Sequence, residues 1–460
     1  MRKALIFGTL PAFLLLTSIA CGLHQKSIIS ANGPQKPGSP FPAEQRTYSL
    51  TQLQDDFRQF RQVIEKRHPK LHVDPEELSE LFATQYKSLR DGMTELEFYR
   101  VLSPIVGKLR CGHTNLMVSK AYEGYLLENG RYLPVLIKVI NDRAYVLQDL
   151  SGQGIPEGAE IISINGKRTA EIISVLLSNL TADGYNMSKK YYIMNHWFNC
   201  LYHYYIDNSS RFTLVYRSAE DDQIFTKTVD GIKNQQMHMT TMSIYYPRGN
   251  DLYTKAIADD YAILTIKSFS LNNKKKYKAF IDGFFQELAE KEISHLILDL
   301  RDNWGGNPYY ASYLLSYLIS TPTLYFDKEV PFYYAKYKKP LKPAEHRFTG
   351  RVYTLINGAS FSTTGHLCSL LRFHNIGVFI GEESGGSHVC TDASINVTLR
   401  HTKLRLHCST TVFATAVSNL PTGRGIIPDY PITPTLQDYL EGTDPQMNMA
   451  IQLIKHGTGQ

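Results

Sequence analysis

Between Ser49 and about Val106, apolar residues recur every three or four positions. Leu53, Phe57, Phe60 and Val63-Ile64 come first, then Leu78, Leu81-Phe82 and Tyr86, then Phe98, Val101-Leu102 and Ile105. That period lines one face of a helix, and three such runs predict about three helices. Ser49 and Thr94 stand where N-caps belong, and Thr94 with Glu97 three residues on fits a capping box. The helical period stops at Leu109-Arg110-Cys111-Gly112-His113-Thr114-Asn115. From Leu133 the pattern becomes that of strands: residues 135–140 and 144–147 flank an Asn141-Asp142 turn, and the run at 161–164 ends in Asn165-Gly166, a hairpin signal. Residues 175–210 read as an insertion rich in Tyr and Asn with no assigned place, and Phe212 to Tyr216 as the strand that closes this region. Beyond Tyr261, short apolar runs at 262–266, 295–300, 352–356 and 377–380 alternate with helical stretches at 280–289, up to Leu318, and from about Thr363 to Arg372. Such alternation predicts βαβ units and a largely parallel sheet. No internal repeat is present.

The first residues differ in character. Arg2 and Lys3 precede an apolar stretch at 4–20, interrupted by Gly8, Thr9 and Pro11. It is short of the about 20 residues a membrane-spanning helix needs, and it fits an export signal. The end of it, Ser18-Ile19-Ala20-Cys21-Gly22, resembles the lipobox of bacterial lipoproteins, with Ser18 where Leu is usual. That resemblance implies lipidation at Cys21; the alternative is a plain secretory signal with an incidental cysteine. Residues 22–45, rich in Pro, Gly and Ser, read as a linker between anchor and body.

Composition narrows the classes. The chain has 460 residues, 43% hydrophobic and 20% charged, enough for buried cores and about three domains. Its net charge of +6 comes from 49 basic and 43 acidic residues with no long basic block, which argues against nucleic acid as a partner. Six cysteines without a C-x-x-C pair exclude a disulfide scaffold and argue against structural zinc. With Cys21 lipidated, five thiols remain, and an odd number cannot pair fully.

Candidate chemistry sits at two strand ends, where open α/β sheets gather functional residues. After the strand at 295–300 comes Arg301-Asp302-Asn303-Trp304-Gly305-Gly306. Paired glycines let backbone N–H groups face a developing anion, although they also suit a tight turn. After the strand at 352–356 comes Asn357-Gly358-Ala359-Ser360-Phe361-Ser362-Thr363, a strand-to-helix turn. A serine there is either an N-cap or a nucleophile with a helix N-terminus behind it. The G-x-S-x-G elbow is not matched. A serine nucleophile needs a base, and His113 is the candidate; His366, four residues after Ser362, reads as helix surface or packing.

Taken in order, these elements resemble the C-terminal processing (tail-specific) serine peptidases, on the branch that includes the tricorn core. The ordered set is a helical N-terminal region, Gly112-His113-Thr114, a PDZ-like segment around Gly154 to Gly166, Asp299-Leu300-Arg301-Asp302-Asn303-Trp304-Gly305-Gly306, the Asn357-to-Ser362 turn, Gly381-Glu382-Glu383-Ser384-Gly385-Gly386, and Gly425-Ile426-Ile427-Pro428-Asp429. The resemblance runs from about residue 50 to 455. It implies a mixed α/β fold: a helical N-terminal domain at 46–120, a PDZ-like β-rich domain with an insertion at 121–230, and a βαβ peptidase core of the ClpP/crotonase-like type at 231–460, preceded by a signal peptide at 1–21 and the linker at 22–45. It implies Ser362 as nucleophile, Ser360 in the non-catalytic place, His113 as base, and Gly305, Gly306 and Thr363 around the oxyanion. Two departures stand out. Ser387 occupies the place of the Lys base that many members use, and Thr422-Gly423-Arg424 occupy the stretch where the His-using branch has a Glu. Glu383, or Glu382, is the substitute acid expected here. The implied activity is endopeptidase action on exported proteins or peptides through an acyl-enzyme, without metal or cofactor, by a protein lipid-anchored to the bacterial cell envelope. The alternative is an inactive member that keeps the fold and binds peptides or apolar ligands.

Overall fold

The structure is a computed structural model that describes residues 42–234, 252–327, 330 and 332–456. The expected signal, Cys21 and nearly all of the linker lie outside the described residues. Among the described residues no helix is long and apolar enough to cross a membrane.

The helical region forms as its period predicts, with helices Leu50–Arg67, Pro75–Lys87 and Glu95–Lys108. Both N-caps act as such. Ser49 and Thr94 each close a capping box, with Gln52 and Glu97 respectively. These helices bury Phe57, Phe60, Phe82, Phe98 and Leu102 in one core, and Leu399, Leu404, Leu406 and Cys408 from far along the chain complete it.

The middle region is an antiparallel sheet whose order runs Ile224–Asp230, Arg211–Arg217, Glu160–Ile164, Arg143–Asp149, Val135–Ile140. Asn141 and Asp142 both take positive φ (49° and 59°), as do Asn165 and Gly166 (49° and 76°), the geometry of tight hairpin turns. The strand at 211–217 is not the closing one, because Ile224–Asp230 pairs on its outer side. The insertion that had no assigned place supplies the whole of helix Ser188–Tyr205, which packs with Thr169–Asn179 against the sheet.

The last region is a sheet in the order Tyr253–Ile257, Ala262–Ile266, His295–Asp299, Arg351–Ile356, Val378–Gly381, Tyr430–Pro431, parallel except for the first pair. Alternate residues face opposite sides: Leu296, Leu298, Val352 and Ile356 enter one core, while Ile297, Tyr353, Leu355 and Ile380 meet Ala450 and Leu453 of the helix Pro445–His456 on the other. Burial on both faces is why these strands read as continuous apolar runs. The mixed α/β class is the observed one. None of the five described cysteines is in a disulfide, and all are buried.

Candidate active site

The turn after strand Arg351–Ile356 is held by its own side chains. Asn357 Oδ1 accepts from the N–H groups of Ala359 (3.0 Å) and Asp302 (3.1 Å), and its Nδ2 donates to Asp302 Oδ1 (2.9 Å). Ser360 Oγ donates to the Leu300 carbonyl (2.9 Å) and accepts from Asn357 N–H (3.1 Å), so its hydroxyl is spent inside the turn. Phe361 N–H donates to the Asn303 carbonyl at 3.1 Å. These bonds force Ser362 to φ 55°, ψ −124°, in a region that residues with a Cβ rarely occupy. Such strain costs of order 1–3 kcal/mol and persists only where the surroundings over-determine it. Ser362 directly precedes helix Thr363–Phe373 yet makes no side-chain cap bond. Its Oγ lies instead 3.0 Å from Nε2 of His113.

His113 reaches this place from the helical region. The loop after helix Glu95–Lys108 runs into strand Asn115–Met117, which pairs with Arg405–Cys408 of a hairpin sent out from the parallel-sheet region. Ser409 N–H donates to Thr114 Oγ1 (3.1 Å) and ties the loop down. Gly112 is required by contact: a Cβ there would lie 2.6 Å from the Phe361 ring. The His113 ring itself packs on Phe361, with centroids 4.5 Å apart. His366, by contrast, is buried with Nε2 3.3 Å from Cys390 Sγ; burial holds its imidazole down at about 3. Its ring packs edge-on against Phe326 (centroids 5.5 Å apart).

The two glycines have separate parts. The Gly305 N–H is already donated to Asn303 Oδ1 (2.9 Å). The expectation that Gly305 donates to an oxyanion is therefore corrected: what it contributes is space. At its φ of +90°, a Cβ would lie 2.8 Å from Thr363 N and 2.9 Å from Ser362 Cβ. Gly306, at φ +139°, is pressed against the Phe269 backbone, and its carbonyl accepts from Thr363 Oγ1 at 2.5 Å. Thr363 is the first residue of its helix, so its N–H has no acceptor within that helix. The N–H groups of Gly306 and Thr363 are the donors this geometry offers. Gly386 completes the enclosure: its N–H donates to the Ser360 carbonyl (2.9 Å), and a Cβ on it would lie 2.7 Å from Ser362 N.

The expected acid is elsewhere. Glu383 accepts from Arg424 through both oxygens (2.9 and 2.8 Å) and from Gly425 N–H (2.8 Å). That pairing holds it on the loop ahead of Pro428, and it makes no bond to His113. Glu382 is half-buried; loss of solvent pushes its carboxyl up, and the nearby charge of Lys138 opposes this. His113 Nδ1 is sealed from water with no hydrogen-bond partner. The carboxylate beside it is Asp183, from the insertion. Its Oδ1 accepts from Gly112 N–H at 2.7 Å, while its Oδ2 is buried and unpartnered. Burial pushes the Asp183 carboxyl up; His113, the Gly112 N–H, Lys189 and His72 pull it back. Lys189 is also buried. Its Nζ donates to the Thr181 carbonyl (2.9 Å) and stands 4.5 Å from the centre of the Phe361 ring, and burial pushes it down to about 8 against the attraction of Asp183. A lone Asp-Gly in a stretch without periodicity carried no signal that sequence reasoning could have used.

The antiparallel sheet of the middle region is covered at its Val135–Ile140 edge. The outer side of strand Val135–Ile140 is taken by helix Ser188–Tyr205: Asn195 Oδ1 accepts from Val139 N–H (2.6 Å), its Nδ2 donates to the Val139 carbonyl (3.1 Å), and Asn199 Nδ2 donates to the carbonyls of Val135 (2.8 Å) and Leu133. Strand addition needs those groups free. The same helix touches the site, since Tyr192 donates to Asp302 Oδ1 (2.9 Å) and Trp197 packs near Trp304.

A serine on a strained strand-to-helix turn, a histidine in contact with it and backbone donors beside it form a serine-hydrolase arrangement. Residues 260–432 match the model of Peptidase family S41. The match spans the nucleophile turn, and the region it covers is that of a serine-type peptidase. No curated protein matches the chain in sequence. Among solved structures, mature CPAF complexed with lactacystin is similar at 13% identity, with a TM-score of 0.64 over 88% of this chain and 99% of that one. Mature CPAF alone gives 13% and 0.64 over 89% and 99%. The photosystem II D1 C-terminal processing protease gives 12% and 0.42 over 89% and 97%. At such identity the CPAF likeness establishes the fold.

Proposed function

We propose that the protein is a serine endopeptidase that cleaves exported proteins or peptides through an acyl-enzyme, with Ser362 as nucleophile and His113 as base. The observation that carries this reading is the 3.0 Å contact between Ser362 Oγ and His113 Nε2. His113 takes the Oγ proton as the bond from Oγ to the peptide carbonyl carbon forms, and the carbonyl electron pair moves to oxygen. The N–H groups of Gly306 and Thr363 hold that oxyanion. His113 then returns the proton to the leaving amine as the C–N bond breaks, and water attacks the ester by the reverse sequence. The test is labelling of the full chain by a fluorophosphonate probe. Labelling lost in Ser362→Ala and in His113→Ala but kept in Ser360→Ala supports these roles; no labelling of folded protein refutes them and leaves a peptide-binding member of the fold.

The sequence before the described residues supports a location. The Ser18-to-Gly22 lipobox resemblance and the Pro/Gly/Ser linker fit a body tethered by lipid on Cys21 to the bacterial cell envelope, at the outer membrane. Incorporation of labelled palmitate, lost in Cys21→Ala, checks this; equal incorporation in both proteins refutes it.

A further inference from the structure

Two polar atoms beside the reacting pair have lost water without gaining a partner. His113 Nδ1 and Asp183 Oδ2 are both sealed and both unpaired. Leaving one such group unmade costs about 1–3 kcal/mol, more when the group is charged. His113 is close enough to act on the Asp183 charge, and two such atoms, one able to donate and one to accept, resolve each other's deficit by pairing. Asp183 is held for this through its other oxygen, which accepts from the N–H of Gly112, the residue just before His113 (2.7 Å). The loop that carries it is fixed on both flanks. Gly184 N–H donates to the Arg110 carbonyl (2.9 Å), Tyr185 N–H donates to the Gly423 carbonyl (2.8 Å), and a Cβ on Gly184 would fall 2.2 Å from Gly423 Cα.

We propose that Asp183 is the positioning residue for His113: its Oδ2 takes the Nδ1–H of the imidazole, directly or through one water, after a small rotation of either side chain. This rests on the Ser362–His113 reading. The bond keeps the proton on Nδ1, so Nε2 presents a lone pair to Ser362. It also stabilises the imidazolium that forms when Nε2 accepts the Oγ proton. The Nδ1 proton stays on the ring throughout, and Asp183 transfers nothing. The charged and titratable groups around Asp183 are compatible with an anion there. Lys189 supplies a buried counter-charge, and His72 faces it from the helical region. Cys111 and Cys390 lie close by, and burial pushes both thiols up and holds them neutral. His68 and Arg110 line the small cleft on the same side.

The test compares Asp183→Asn with wild type in the full chain by the rate of fluorophosphonate labelling, split into maximal rate and half-saturating probe concentration. Asn keeps an acceptor for Gly112 N–H and removes the charge from the second position. The maximal rate should fall about 10²–10⁴-fold with half-saturation unchanged, while the melting temperature stays near wild type and Glu383→Gln labels normally. Labelling of folded Asp183→Asn at the wild-type rate overturns the proposal, as does an equal slowing in Glu383→Gln. Should Asp183→Asn fail to fold, wild type decides by proton NMR: a far-downfield imidazole N–H, absent in His113→Ala, supports the pairing, and no such resonance overturns it. Wild-type labelling in Ser362→Ala and His113→Ala would remove the nucleophile reading and this inference with it. Loss in both, with Asp183→Asn unaffected, would remove Asp183 alone.

Discussion

Gly305→Ala should abolish activity although Gly305 donates nothing to the substrate. The residue sits at φ +90°, and an added Cβ would lie 2.7 Å from the Phe361 carbonyl oxygen, 2.8 Å from Thr363 N and 2.9 Å from Ser362 Cβ. The backbone conformation alone costs of order 1–2 kcal/mol for a residue with a Cβ. The three contacts are all shorter than a carbon tolerates, and none is the far end of a flexible side chain. Relief therefore needs a shift of the nucleophile turn by about half an ångström, in a part of the molecule packed too tightly to absorb it. That shift moves the Thr363 N–H off the oxyanion position. Loss of one such donor costs about 3–4 kcal/mol, or about 10²–10³ in rate. Gly92→Ala is the control. Gly92 also has positive φ (+75°), but nothing lies within 4 Å of its Cβ position, so only the backbone strain remains. Fluorophosphonate labelling should fall at least about a hundredfold in Gly305→Ala and stay at the wild-type rate in Gly92→Ala, with melting temperatures lowered in both. Labelling of Gly305→Ala at the wild-type rate would refute the argument that its missing side chain makes room for the donor.

Three further outcomes follow from the geometry. Ser360→Ala removes the bonds to the Leu300 carbonyl and Asn357 N–H and should lower stability by about 1–3 kcal/mol while labelling persists; loss of labelling in folded protein would mean that Ser360, not Ser362, reacts. Burial holds His68 and His203 down at about 4 and His366 at about 3, so the unfolded chain binds more protons below the ordinary histidine value of about 6.5 and stability is lost as pH falls from there toward about 4. His196 and His407, held down at about 3 and about 4, add to this, while Glu95, pushed up to about 7 by burial, acts in the opposite sense, so the histidines outweigh it and stability falls on acidification in that window; a melting temperature that rises on acidification from 6.5 to 5 would contradict this. Finally, the Val139 amide, bonded to Asn195, should exchange slowly with solvent and speed up in Asn195→Ala, and rapid exchange in wild type would show the sheet edge to be open.

Much of the fold is legible in the pattern because local physics sets it. The helical period places the three N-terminal helices, and Ser49 and Thr94 cap two of them as their hydroxyls dictate. The continuous apolar runs of the peptidase sheet reflect burial on both faces. The Asn357 turn is also local, since its side chain closes on Ala359 within two residues. The helix Ser188–Tyr205 was illegible because it is buried along most of one side and kinked at Trp197, so its polar residues point inward to bond a sheet edge and no clean apolar stripe results.

The sequence by itself determined the elements, the serine turn, and the residue types that could do acyl transfer, because each depends on neighbours a few positions away. Tertiary structure alone decided which of them meet. Ser362 and His113 are 249 positions apart, and their contact depends on a hairpin from the peptidase region pairing with Asn115–Met117. Glu383 is drawn off by Arg424 and Gly425, while Asp183 is brought to Gly112 across 71 positions. Carboxylates look alike in a sequence. Which one faces a histidine is set by long-range packing and by the competing donors each one meets after folding.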